Sequence, residues 1–229
     1  MIPFSARPTA LSLLLAALAL PAIPALAMET TIDLSAEASR PAANDLVHAS
    51  LNAEASGATP GDLSRQINAQ IADALKTVKT YPSVKVKSGN TNSYPVYSKA
   101  GKIESWRMRS ELKLESTDTA AMSELIGKLQ ATLGISNLTL APAPETRKAA
   151  ENEAILDAIS AFKARAAVIA GAMNKGYSIK QLNVQTAGSY APPMLRASVK
   201  MMSADAAPMP MESGDSQISA TVSGQIQLE

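Results

Sequence analysis

The side chains with the most chemical potential lie near the C-terminus, in APPMLRASVKMMSADAAPMPME (191–212). Five of the chain's ten methionines fall there: Met194, Met201, Met202, Met209 and Met211. Soft thioethers suit Cu(I), which makes the five candidate copper ligands. Their spacing is irregular, however, and no histidine or cysteine is near to complete a site. Exposed methionines can also absorb oxidants reversibly as sulfoxides. A third reading is a connector rich in alanine, proline and methionine between two strands. A connector of that length is unusual in a compact domain, which points to contact with a partner subunit or a membrane surface.

Other chemistry is sparse. His48 is the one histidine, on a strand face opposite Val47, Ala49 and Leu51, where it is expected to meet solvent. Nucleophilic hydrolysis needs a histidine with a nucleophile and an orienting acid beside it, and zinc needs three or four ligands. Two carboxylates alone could run glycoside hydrolysis. Glu151 and Glu153 are close in sequence, but i,i+2 residues on a helix point apart. Glu111 and Glu115 share a strand face with basic residues and read as solvated. HExxH, GxSxG, Walker A and GxGxxG patterns do not occur. No catalytic residue and no cofactor are therefore expected, and the chain does not read as an enzyme.

Composition narrows the setting. MIPFSARPTA carries one charge, Arg7; LSLLLAALAL is an apolar run; PAIPALA supplies Ala25 and Ala27. This is the pattern of a Sec-type signal peptide over 1–27, cleaved after Ala27. The expectation is a periplasmic product, residues 28–229, with outer-membrane association a further expectation. Loss of Arg7 would leave that product neutral, so nothing electrostatic favours nucleic acid. The absence of cysteine rules out disulfides and thiolate chemistry.

The elements follow from periodicity. TIDLSAEAS alternates as a strand, RPAAND breaks it, and VHASLNAEA alternates again as its expected hairpin partner. A helix follows, with Thr59 as N-cap, Pro60 at its first position, Asp62 in the first turn, and a stripe of Leu63, Ile67, Ile71, Ala74, Leu75 and Val78. A hairpin turns at Lys99–Lys102 into a strand that places Trp106, Met108, Ser110, Leu112 and Leu114 on one face. A second helix turns Met122, Leu125, Ile126 and Leu129 inward, with Gly134 as its expected cap. After ISNLTLAPA comes the longest helix, about 43 Å for its 29 or so residues. Its stripe is Ile155, Ile159, Phe162, Ala166, Ile169 and Met173. YSIKQLNVQTAGS and SQISATVSGQIQL are strands on either side of the methionine-rich connector at 189–214. The order is ββαββαβαββ, an antiparallel-rich α+β domain with helices on one face of the sheet.

Four segments carry a resemblance: IDLSAEASRPAANDLVHASLNAEA, VKSGNTNSYPVYSKAGKIESWRMRSELKLES, ENEAILDAISAFKARAAVIAGAMNKGYSIKQLNV and SGDSQISATVSGQIQLE. In order and spacing they resemble the SIMPL domain family of exported bacterial proteins, of the oxidative stress defence protein and periplasmic immunogenic protein type. Asp45 matches a proline-aspartate pair of the family, with Asn44 in the proline position. Ser105-Trp106 stands where the family has Gly-Tyr. The resemblance implies an exported α+β fold, homo-oligomers in at least some members, no established enzymatic activity and a loose tie to oxidative stress. The stripe of the long helix either covers the sheet or packs at its outer end against a neighbouring subunit; since the resemblance favours some self-association, Ile155, Ile159, Phe162, Ile169 and Met173 are candidates for it. The alternative is a periplasmic metal- or small-molecule-binding module that uses the methionine-rich segment.

Overall fold

Every expected strand and helix is present in the computed structural model, which describes residues 29–186 and 211–229. The elements run β1 (Thr31–Ala43), β2 (Leu46–Gly57), α1 (Pro60–Val78), β3 (Lys85–Tyr97), β4 (Ile103–Ser116), α2 (Thr119–Leu129), β5 (Gly134–Ala141), α3 (Pro144–Ala172), β6 (Tyr177–Thr186) and β7 (Asp215–Leu228). The expected signal peptide at 1–27 lies outside the described residues, as does the methionine-rich connector up to residue 210.

The strands form two antiparallel sheets rather than one. Sheet A has the order β1-β7-β6 and sheet B the order β3-β4-β2-β5. Each carries helices on one face: α3 lies on β1 and β7, while α1 and α2 lie against sheet B. The expected β1–β2 hairpin is not formed. β1 pairs with β7, and β2 sits between β4 and β5. Arg40-Pro41 does not end β1 either, since Pro41 pairs opposite Gln217. An edge strand tolerates a proline because its missing N–H can face away from the ladder. Gly134 opens β5 instead of capping α2, whose last turn closes at Gln130.

Local chemistry explains the helices. The Thr59 hydroxyl accepts from the Asp62 N–H at 3.4 Å, and Pro60 fills the first turn of α1. Asp118 does the same for α2, accepting from the Ala121 N–H at 2.9 Å. Both helices bury one stripe against Val47, Leu51, Leu112 and Leu114 of sheet B, forming the larger core. In α3 the seam differs from the expected one. Ala150, Ala154, Ala158, Phe162, Ala166 and Ala170 recur every fourth residue and are the buried ones. Ile155 and Ile159 pack at the flank of that seam. Alanines let a helix sit close to a sheet, and a row at four-residue spacing winds slowly about the helix axis as it crosses the twisted strands.

Asn44 and Asp45 pass the chain from sheet A to sheet B. Asn44 is buried and its side-chain carbonyl accepts from the Ser216 hydroxyl. Asp45 reaches α3, whose own N-cap residue, Ala143, has no side-chain oxygen to offer. Its carboxylate accepts from the Ala143 N–H at 2.6 Å and from the Thr146 hydroxyl at 2.5 Å. Burial alone would raise the Asp45 pKa, but these bonds to the charged form outweigh it and hold the carboxyl below its ordinary value. One aspartate thus caps a helix about a hundred residues away.

Candidate self-association surface

The residues singled out for chemistry do not converge. His48 is partly exposed on the open face of sheet B, its Nδ1 3.9 Å from the Glu115 carboxylate. Glu111 lies 3.8 Å from Lys113 on the same face. Glu151 accepts from Arg147 on its own helix at 3.1 Å, while Glu153 points to Arg40 of β1 at 3.9 Å. Among the described residues no three acids or histidines cluster as a metal set. Met194, Met201, Met202 and Met209 lie outside the described residues. Met211 is partly buried against the larger core.

The self-association candidates on α3 divide. Phe162 is fully buried in the core of its own chain, Ile155, Ile159 and Ile169 are half-buried, and Met173 is exposed. Leu156 and Val168, which the stripe passed over, point outward and are exposed.

Three further part-exposed apolar residues line up along β6. Among the described residues this strand pairs with β7 on one side only, which makes it an edge of sheet A. Its register with β7 slips between Ile179 and Gln181. Ile179 faces Ile226, whereas Leu182 and Val184 face Gly224 and Val222. The bulge at Lys180 therefore keeps apolar residues of opposite parity on the same side, the side that carries α3. Yet α3 covers β1 and β7 and leaves Ile179, Leu182 and Val184 39–40 % exposed. Gly224 permits the slip: a Cβ there would collide with the Gln181 carbonyl. The signal was legible in YSIKQLNVQT, where strict alternation would have sent Ile179 and Leu182 to opposite faces.

The open face of sheet A is polar instead. A wide hollow of about 550 Å³ there is lined by Asp33, Ser35, Gln181, Asn183, Ser223 and Gln225, with Leu34 and Gly224 among them. Sheet A thus has a hydrophilic face, and a second face whose apolar surface continues past its helix to a free edge.

No curated protein matches the chain. The family model SIMPL, a protein of unknown function (DUF541), matches residues 32–226. That span reaches into all seven strands and takes in all three helices, so the chain belongs to the SIMPL family.

Proposed function

We propose that the protein is an exported envelope protein that self-assembles through β6, and that it contributes to oxidative stress tolerance by assembly and not by catalysis. The observation that carries this reading is the uncovered edge of sheet A. Among the described residues, β6 offers an unpaired backbone ladder and three partly exposed apolar side chains on one face. Exposed edges of this kind are normally blunted, because they pair with other chains. Here the bulge and Lys180 blunt only the first part of the strand, and residues 181–186 carry neither a charge nor a further bulge. A two-fold partner pairing β6 against β6 would merge two three-stranded sheets and bring both apolar stripes together on one face. Export rests on the leader pattern at 1–27, and the stress role on the resemblance of the chain to oxidative stress defence proteins.

Light scattering on the purified protein at micromolar concentration tests the reading. The expected mass is a multiple of the single chain. Leu182→Lys with Val184→Lys should return it to one chain while the far-ultraviolet spectrum stays unchanged. A wild-type protein of single-chain mass would overturn the proposal. If the dissociated variant restored survival of a deletion strain under peroxide as well as the wild type, assembly would not be the route to stress tolerance.

A further inference from the structure

A second feature of the molecule stands apart from β6. The β3–β4 hairpin projects beyond sheet B, because β2 pairs with β4 only as far as Gly57 opposite Trp106. From Trp106 outward β4 has β3 as its one neighbour among the described residues, and residues 95–105 stand clear of them as a two-stranded ribbon. The four residues Ile103–Trp106 alone extend about 10 Å. The turn at its end is well built. The Ser98 N–H donates to the Lys102 carbonyl at 2.8 Å, the Gly101 N–H donates to the Ser98 carbonyl at 2.9 Å, and Gly101 takes the φ of 75° that the turn requires.

The chemistry of this tip is unlike a solvated loop. Tyr97 and Ile103 pair directly across the ribbon and are 60 % and 52 % exposed. Tyr94 is also exposed, and Trp106 packs half-buried where the ribbon meets the core. Three of the chain's eight aromatic residues are thus gathered in a segment of thirteen, Tyr94 to Trp106. Lys99 and Lys102 flank the turn, and Glu104 is the only acid in the segment. Neither lysine has a carboxylate partner among the described residues.

We infer that this tip is a membrane-surface anchor that seats Tyr97 and Ile103 at the headgroup boundary of an anionic bilayer, with Lys99 and Lys102 on lipid phosphates. Tyrosine and tryptophan suit that boundary because one part of the ring system is apolar and one part can hydrogen-bond. Lysines bury their stems and keep their charge in the headgroups. The lysines supply charge complementarity, each worth about fivefold in affinity for an anionic surface. The tip lies on it rather than crossing it, since the ribbon is far shorter than a transmembrane strand. The anchor does not depend on assembly through β6, although an assembled protein would present several tips at once and bind more tightly.

Trp106 is the only tryptophan, so its fluorescence reports on this one place. The protein, purified as the cell produces it, is titrated with vesicles of phosphatidylcholine and phosphatidylglycerol in equal parts. The expected result is co-sedimentation, a blue shift of Trp106 emission, and quenching when the lipid chains carry bromine near the headgroup. Tyr97→Ser with Ile103→Ser should abolish all three while leaving the melting temperature and the mass in solution unchanged. Lys99→Ser with Lys102→Ser should weaken binding roughly thirtyfold at low salt and leave any residual quenching in place. Absence of vesicle binding overturns the anchor. So does binding that survives the Tyr97→Ser, Ile103→Ser change, or a fall in solution mass with that variant, which would make the tip a contact between copies. Failure of the β6 variant to dissociate leaves these readouts untouched, so the two proposals fail separately.

Discussion

Asp45 shows how much one side chain can hold. It accepts from the first turn of α3 and stands where the chain crosses between the sheets. Asp45→Ala should cost about 1 kcal/mol, the usual loss for a helix cap, readable as a shift in a urea unfolding midpoint. The pH dependence has a definite sign. A carboxyl held below its ordinary value of 3.8 stabilises the fold fully above that value. The advantage of wild type over Asp45→Ala should therefore stay constant near neutrality and shrink as pH falls below 3.8 through the lower folded value. A gap between the two proteins that widened on acidification would contradict this account. The role of Asp45 was not legible in advance. Ala143-Pro144 marks a helix start with no side-chain cap, and nothing local points a hundred residues back. His48 was legible, because its place among Val47, Ala49 and Leu51 fixed the face it shows to solvent.

Among the elements, α1 and α2 followed from caps and stripes, whereas α3 did not. Its bulky residues recur at helical spacing and drew the eye to Ile155, Ile159 and Ile169. Close approach to a sheet selects for the smallest side chain, so the alanines make the contact and the isoleucines flank it. Ala158 is fully buried. Ala158→Leu should overpack that seam and cost about 1–3 kcal/mol, whereas Ala167→Leu, on the exposed side, should be nearly neutral. Equal unfolding midpoints for the two variants would show that the helix is not seated as closely as its alanines suggest. The edge strand β6 carried a legible warning in its broken alternation, but the bulge that resolves it depends on Gly224 in a strand some forty residues later.

At the scale of the whole molecule, strand existence was read correctly and strand pairing was not. Period-two patterning tells which residues share a face. It does not tell which strand lies alongside, and two alternating strands separated by the short break RPAAND read as a hairpin. The actual pairing divides the chain unequally. Sheet B and its helices come from one unbroken stretch, residues 46–141. Sheet A is assembled from the two ends, with β7 in its centre. Removing residues 215–228 should leave the amides of Leu51 and Leu112 protected from hydrogen exchange while those of α3 and β1 exchange freely. Retained protection in α3 would mean that it folds without its sheet. There is a temporal side to this arrangement. β7 is made after β1 and β6 and is the strand with which both of them pair, so sheet A has no nucleus until residues 215–228 have been made. A growing chain made only as far as residue 186 would hold sheet B and its helices, residues 46–141, while sheet A waited for the fourteen-residue β7.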